Sequence, residues 1–503
     1  MPRYSGVIFV LMRHLLALPV LLIPFASVLA ETPANKAPDA RAALRATVAQ
    51  RLAEGPEGTR YGMMVTTLEG EEILAILPDQ RFIPASNTKM FTTATAYSML
   101  PALDQSARGT GVTLSPVGKG AVDVILYGRG DARLSSAEDC TKDCLQMLAD
   151  AVSAKVRHVR DVVGDDSWFP DERWSPGMSW NNIQTRSGAG ISALTIDDNE
   201  AAAMVTPTAP GDAPKIEVAS YYTIQNNAVT VPGKGKTLDA ERAPNGTDIR
   251  VFGTIGAEEA PMKLNFGIDD PAHYAAWRLR TLLEARGVTV SGKVEVRHRP
   301  LTPADSPDYR KGTPAAQSPA PEMLAELPAL PLAEDVTIIN KVSQNVHAEL
   351  MLRRVARQTG SGSIADGQAA LRIVMAQAGL PEASYGFSDG SGMSSYNRIT
   401  PRGAVTLLNW VARQPWGADW RATLPVGGKD GTLRARFHDT LLDGKLFAKT
   451  GSLNASRALS GYLITKSGRT LIFSALANDI PADQDSKATA AVDKALVAIA
   501  EAE

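Results

Sequence analysis

The run Ser86-Asn87-Thr88-Lys89 sets a hydroxyl and an amine three residues apart. Pro84 can stand just ahead of a helix. Met90, Phe91, Ala94 and Tyr97 then follow at roughly helical spacing, so Ser86 and Lys89 share one face. An amine beside a hydroxyl can activate it as a nucleophile, although an isolated S-x-x-K is weak evidence. Two other groups give it weight. Lys449-Thr450-Gly451 is the one K-T-G in the chain and lies in LFAKTGSLNASRALSGY, which reads as strand; Ser86 is the one serine with a lysine three residues on. The third group, S-x-N, occurs at Ser179, Ser343, Ser395 and Ser452. Ser343-Gln344-Asn345 lies between the other two motifs, at a break in a helical pattern. Ser179 falls in a β-rich region, Ser395 follows SDGSGMS, and Ser452 overlaps the K-T-G strand. Context selects Ser343 and Asn345.

Around these residues, APDARAALRATVAQRLAEG reads as a helix and YGMMVTTLEGEEILAILPD as two strands about a Glu69-Gly70 turn. The Ser86 helix comes next. From about residue 104 to 300 short β-like runs dominate, including AVDVILYG, AAAMVTP, KIEVAS, NAVTVPG, DIRVFGTIG and GKVEVRH. One helix, PAHYAAWRLRTLLEARG, interrupts them and ends at Gly287. Eight prolines then fall between Pro300 and Pro331, read as an extended strand plus a crossing loop. From 333 the chain is helical, and it closes with the strands KLFAKTGS, SRALSGYLITK and RTLIFSALAN and a last helix. The expected organisation is a signal peptide over 1–30, a domain of helices and strands split into 31–103 and 333–503, inserted β-rich domains over 104–300, and a crossing segment over 301–332.

The chain has 503 residues, 44% hydrophobic and 21% charged, with 52 basic against 54 acidic side chains. This balance gives no electrostatic case for nucleic acid or an anionic membrane surface. Arg278/Arg280/Arg286 and Arg353/Arg354/Arg357 read as solvated helix faces. Arg3 and Arg13 precede an apolar run from Leu15 to Ala26 and small residues up to Ala30, the pattern of a cleaved export signal. Pro19 and Pro24 interrupt the run, which argues against a membrane span. Met12 is an alternative start. No Cys follows the cleavage point, so a lipid anchor is not expected; peripheral membrane association stays open. Cys140 and Cys144 are the two cysteines and could close a small loop in an oxidising compartment. The six histidines are scattered, so the chemistry should need no metal or other cofactor.

The ordered triple S-x-x-K, S-x-N, K-T-G resembles the signature of β-lactamases and penicillin-binding proteins, with Gln344 where that signature has Asp. DGSGMSSYNRITP, LPVGGKDGTLRARF and GKLFAKTGSLNASRALSGYLIT, with WFPDERWSPGMSWNNI and ISALTIDDNE in the insert, extend the resemblance over nearly all of the mature chain. They resemble the D-alanyl-D-alanine carboxypeptidase/endopeptidase family of class C, low-molecular-mass penicillin-binding proteins (the penicillin-binding protein 4 type). The resemblance implies an α+β, β-lactamase/transpeptidase-like serine acyltransferase domain, an antiparallel sheet flanked by helices, with extra domains between the first two motifs. It implies peptidoglycan stem peptides as substrates, β-lactam antibiotics as inhibitors and a periplasmic location.

The roles it implies are Ser86 as nucleophile, Lys89 as base, Ser343 as proton relay to the leaving amine, and Asn345 holding Lys89 and the substrate backbone. Lys449, Thr450 and Ser452 would face the substrate carboxylate, and Gly451 would let substrate lie along the strand. Lys89 must be neutral, which calls for burial and a nearby positive charge, with Lys449 as the candidate. Glu349 reads as a structural partner; SDGSGMSS reads equally as cleft edge or tight turn. Asn181 and Asn182 stand where some relatives carry an acidic residue, leaving the stem-residue preference open. Two other readings are a β-lactamase or esterase on the same scaffold and a non-catalytic cell-wall binding module.

Overall fold

The computed structural model of the protein describes residues 37–100, 108–118, 120–313 and 321–503. The export signal, its cleavage point and Met12 lie outside the described residues. Among the described residues no helix is long and apolar enough to cross a membrane.

A five-stranded sheet draws on both ends of the chain. Its order is Leu446–Leu453, Ser456–Ile464, Thr470–Asn478, Arg60–Thr67, Glu72–Ile76. Every pairing in it is antiparallel. Arg60–Thr67 has near-continuous burial, as expected of a strand covered on both faces. One face packs on Ala37–Ala53 and Asp485–Ala502 through Val48, Leu52, Val65, Phe473 and Leu496. The other packs on helices that include Thr88–Met99, Leu332–Lys341, Asn345–Thr359, Ile364–Gln377 and Pro401–Ala412, with Phe91, Met351, Leu371 and Leu408 in that core.

The Thr88–Met99 helix carries Thr88, Thr92, Thr93 and Thr95, which are mediocre helix formers. Tertiary packing overrides the propensity. Met90, Phe91, Ala94 and Ala96 are fully buried, Thr92 Oγ1 donates to Gly390 O at 2.7 Å, and Thr93 Oγ1 to Lys89 O at 2.7 Å.

A second five-stranded sheet has the order Val294–Arg299, Val162–Pro170, Ala121–Tyr127, Arg108–Val117, Ala325–Pro328. Its first three strands pair in parallel. Ala325–Pro328 comes from the proline-rich segment and supplies its extended part. Two three-stranded sheets and the two-stranded pair His158–Val159 with Thr289–Val290 also lie in the middle of the chain. Pro271–Ala285 packs on the second five-stranded sheet along Val162–Pro170 and Val294–Arg299, with Tyr274, Leu279 and Leu283 in the core, and Gly287 beyond its end is left-handed at φ 74°.

Two expectations are corrected here. The middle region holds a second helix, Leu145–Ser153, whose nine residues are too short for a clear period, and it begins just after Cys144. Cys144 and Cys140 are disulfide-bonded. The arginines of Asn345–Thr359 are also not a solvated face. Arg353 is 2% exposed and pairs with Glu172 at 2.9 Å, Arg354 pairs with Asp335 at 2.8 Å, and Arg357 lies over the Trp168 ring. A helix face that meets another part of the chain needs its charges paired rather than wetted.

Candidate active site

Ser86 sits in a one-turn 3-10 helix, Ala85–Asn87, that leads into Thr88–Met99. Ala85 is left-handed at φ 46°. The turn is gripped from two sides by glycines. A Cβ on Gly451 would lie 2.4 Å from Pro84 O, and one on Gly392 would lie 1.9 Å from Ala85 O. Asn87 Nδ2 also donates to Lys449 O at 2.8 Å, tying the turn to the strand Leu446–Leu453. That strand is an edge of the sheet, so its outer backbone groups face the cleft.

Lys89 is 0% exposed, and its Nζ lies 2.9 Å from Ser86 Oγ, 2.6 Å from Asn345 Oδ1 and 2.6 Å from Ser391 O. Asn345 Nδ2 donates to Ser187 O at 2.9 Å, which fixes its oxygen toward Lys89. The count of donors matters here. A neutral amine has two N–H groups and one lone pair. Asn345 Oδ1 and Ser391 O can only accept, so they take both N–H groups and leave the lone pair facing the Ser86 hydroxyl. Burial lowers Lys89 from its ordinary value to about 7, against the pull of Asp389 and Glu349, which raise it.

Lys449 is 0% exposed and donates from Nζ to Ser343 Oγ at 2.9 Å and to Thr450 O at 3.1 Å. It is pushed well below the ordinary lysine value, first by burial and then by Lys89. The expected electrostatic coupling is therefore the lesser cause. Burial leads for both lysines, and their mutual repulsion disfavours two ammonium groups side by side. Ser343 is a non-glycine residue at φ 63°, a sparsely populated conformation that collects at functional sites. It lies between Leu332–Lys341 and Asn345–Thr359, and Gln344 Oε1 caps the second helix by accepting from Val346 N at 2.9 Å.

The structure thus brings together two hydrogen-bonded sets, Ser86–Lys89–Asn345 and Ser343–Lys449, tied to each other through Asn87 Nδ2 on Lys449 O. Thr450 and Ser452 line an adjoining pocket of about 280 Å³ beside Gly451, and Thr450 Oγ1 is 2.7 Å from Thr432 Oγ1. Asn181 and Asn182 fall in the one-turn helix Trp180–Asn182, just ahead of the Ser187 turn that holds Asn345.

Sequence reasoning gave the loop 388–394 no settled role, and it is both turn and cleft wall. Asp389 accepts from Gly392 N at 2.9 Å and Ser394 N at 2.6 Å, while Glu349 Oε1 accepts from Gly390 N at 3.0 Å and Ser391 N at 2.8 Å. Glu349 is thereby a structural partner of the loop whose Ser391 carbonyl holds Lys89. Burial, followed by Asp389, raises Glu349 to about 7, with Arg353 opposing. Ser187, from the insert, had no signal at all: a backbone carbonyl carries no residue-type mark.

A model of the D-Ala-D-Ala carboxypeptidase 3 (S13) family matches residues 44–502. A D-alanyl-D-alanine carboxypeptidase of Actinomadura sp. (strain R39) is 32% identical over 441 residues, covering 84% of this chain and 78% of the relative. The crystal structure of penicillin binding protein 4 from Haemophilus influenzae superposes with a TM-score of 0.75 at 23% identity, covering 89% of this chain and 98% of that one. The same protein complexed with a β-lactam gives a TM-score of 0.69 at 21% identity, covering 90% and 98%. The fold is the α+β penicillin-binding-protein-4-like form of the transpeptidase/β-lactamase fold. The chain belongs to the D-Ala-D-Ala carboxypeptidase 3 (S13) family of serine-type carboxypeptidases.

Proposed function

We propose that this carboxypeptidase acts on peptidoglycan stem peptides outside the cytoplasm, in the periplasm after removal of residues 1–30. We propose further that it also opens D-Ala–diaminopimelate cross-links as a DD-endopeptidase. In this reading 31–103 and 333–503 form the catalytic domain, 104–300 the insert and 301–332 the crossing segment. The observation that carries the assignment is Lys89: a buried amine whose two acceptor-only partners leave its lone pair on Ser86 Oγ.

Lys89 takes the Ser86 hydroxyl proton as Oγ bonds to the carbonyl carbon of the penultimate D-Ala. The backbone N–H groups of Ser86 and Ser452 stabilise the resulting oxyanion. As the C–N bond breaks, Ser343 gives its proton to the leaving amine and is reprotonated from Lys449, which recovers that proton from the Lys89 ammonium, so that Lys89 is a neutral amine again. Water then adds to the ester, with Lys89 accepting its proton, and Lys89 passes that proton to Ser86 Oγ as the C–O bond breaks, which restores both groups. Lys449, Thr450 and Ser452 hold the terminal carboxylate, whose charge draws Lys449 toward its ammonium form. Asn345 holds the substrate backbone, and Gly451 admits the substrate as an added strand.

A penicillin presents a strained amide to the same serine, and its leaving amine stays tethered. Fluorescent penicillin with purified 31–503 should give a lasting adduct that Ser86→Ala abolishes. An adduct that decays within seconds favours the β-lactamase reading, and none in either protein favours the binding module. Cross-linked and uncross-linked peptides, followed by mass spectrometry, test the endopeptidase half. Release of terminal D-Ala with no cross-link cleavage would remove it.

A further inference from the structure

Behind Asn345, the insert and the helix Asn345–Thr359 bound a cavity with about 10 Å³ for the centre of a water-sized sphere, room for one water. Three of the residues lining it each carry a buried polar atom with no hydrogen bond among the described residues: Ser175 Oγ, Glu349 Oε2 and Arg353 Nε. Their chemistry is complementary. A carboxylate oxygen accepts, a guanidinium N–H donates and a hydroxyl does either. Unsatisfied, each would carry the full desolvation penalty of a buried polar group, larger where the group is charged. Native interiors meet such a cluster with ordered water, which wants two to four polar partners.

The rest of each side chain is committed. Arg353 Nη1 donates to Glu172 Oε2 at 2.9 Å and Nη2 to Glu172 O at 2.9 Å. Glu349 Oε1 holds the N–H groups of Gly390 and Ser391, and the Ser391 carbonyl is a partner of Lys89 Nζ. The cavity therefore stands two hydrogen bonds from the catalytic amine. It also joins the insert, through Ser175, to the catalytic helix.

We propose that this cavity is a site for one buried water bridging Ser175, Glu349 and Arg353, and that the bridge makes Glu349 a positioning residue that tunes Lys89. The tuning rests on Lys89 being the base; the water site does not. Glu349 is faced by Arg353 on its own helix, Asp389 on the 388–394 loop, Lys89 on Thr88–Met99 and Arg173 across the cavity, with Lys449 beyond Lys89. A charged Glu349 favours the ammonium form of Lys89. The water adds to the support that Glu349 draws from Arg353 and from the Gly390 and Ser391 N–H groups, so it shifts how much of that influence Lys89 feels.

A crystal structure of the wild-type protein at about 1.5 Å should show a single water within about 3.2 Å of all three atoms. A dry cavity, or three atoms turned to protein partners, overturns the site. The tuning is read from the pH profile of penicillin acylation. Glu349→Gln removes the charge, and Ser175→Val fills the cavity and expels the water. Each should lower the midpoint of the acid limb by about half a pH unit or more while Ser86 still labels. An unchanged midpoint in a folded variant overturns the tuning, and Ser175→Val decides it if Glu349→Gln does not fold. Failure of the wild type to label at all would instead sink the serine-lysine reading and leave the water site to the density.

Discussion

Gly392→Ala is a severe test of how the nucleophile is held. Gly392 has φ 90°, and a Cβ there would lie 1.9 Å from Ala85 O, 2.4 Å from Ala85 C and 2.9 Å from Ser86 N. Relief to an ordinary contact requires about 1.5 Å of movement in the turn that carries the nucleophile. The turn has nowhere to go, because Gly451 already touches its other side through Pro84 O and Ala85 is itself left-handed. A displacement of about 1 Å costs on the order of 100-fold in a reaction that depends on orientation. The left-handed backbone adds about 1–2 kcal/mol of strain to the folded state.

Stopped-flow acylation by a chromogenic penicillin separates the two effects when paired with thermal melting. Gly468→Ala is the control. It has φ 87° but nothing within 4 Å of its Cβ, so it shares the strain without the clash. Gly392→Ala should lose about two orders of magnitude in acylation rate and a few degrees of melting temperature, and Gly468→Ala only the latter. Acylation of Gly392→Ala within threefold of wild type, or an equal loss in Gly468→Ala, would refute the clamp.

For the wild type, Lys89 near 7 means that acylation should fall about tenfold between pH 8 and pH 6, following the neutral amine. An ordinary lysine would instead give a rate still climbing tenfold per unit past pH 9. His347 lies between Asp335 at 2.7 Å and Asp198 at 3.0 Å, and their hydrogen bonds raise it from 6.5 to about 9 despite burial. A raised pKa stabilises below the unfolded value and is lost as pH climbs through the folded one. Chemical denaturation should therefore show about 3 kcal/mol draining away between pH 6.5 and 9 in the wild type, and little such slope in His347→Gln. Ser343→Ala should slow turnover of a D-Ala-D-Ala peptide about 100-fold, with folding unchanged by circular dichroism; an effect on KM alone would argue against the relay. Thiol titration of unreduced, denatured protein should find no free thiol, because Cys140 and Cys144 are paired.

The outer motifs were legible because each is unique and its chemistry depends on residue type. The strands of the central sheet were legible as short apolar runs at both ends of the chain, near-continuously buried because both faces are covered, while their antiparallel arrangement was implied by the family resemblance. Lys89 and Ser343 could be named but not their surroundings. Gln344 ends the motif triplet's ambiguity only as a helix cap, a role that appears once Val346 N is seen above it. Glu349 reads as one more charge on a helix until the 388–394 loop closes on it. Arg353 looked solvated because its partner Glu172 is far away in sequence. The parallel pairing of Val162–Pro170 with both neighbours and the short Leu145–Ser153 helix left no periodic trace. Most of what escaped the sequence reading is contact between segments apart in the chain, while the Gln344 cap and the Leu145–Ser153 helix are local features too short to leave a pattern.

The central sheet has an implication for how the enzyme comes into being. Arg60–Thr67 pairs on one side with Glu72–Ile76, its neighbour in sequence, and on the other with Thr470–Asn478. A chain that emerges from its N-terminus presents an early hairpin with one open, apolar edge long before its closing strand exists. Open edges of that kind invite pairing with other chains, and closure across so long a loop is slow. The insert has sheets of its own and can order in the interval. The catalytic cleft assembles last, so penicillin labelling doubles as a clock for late maturation: truncations short of Thr470 should fold an insert yet never acquire the label.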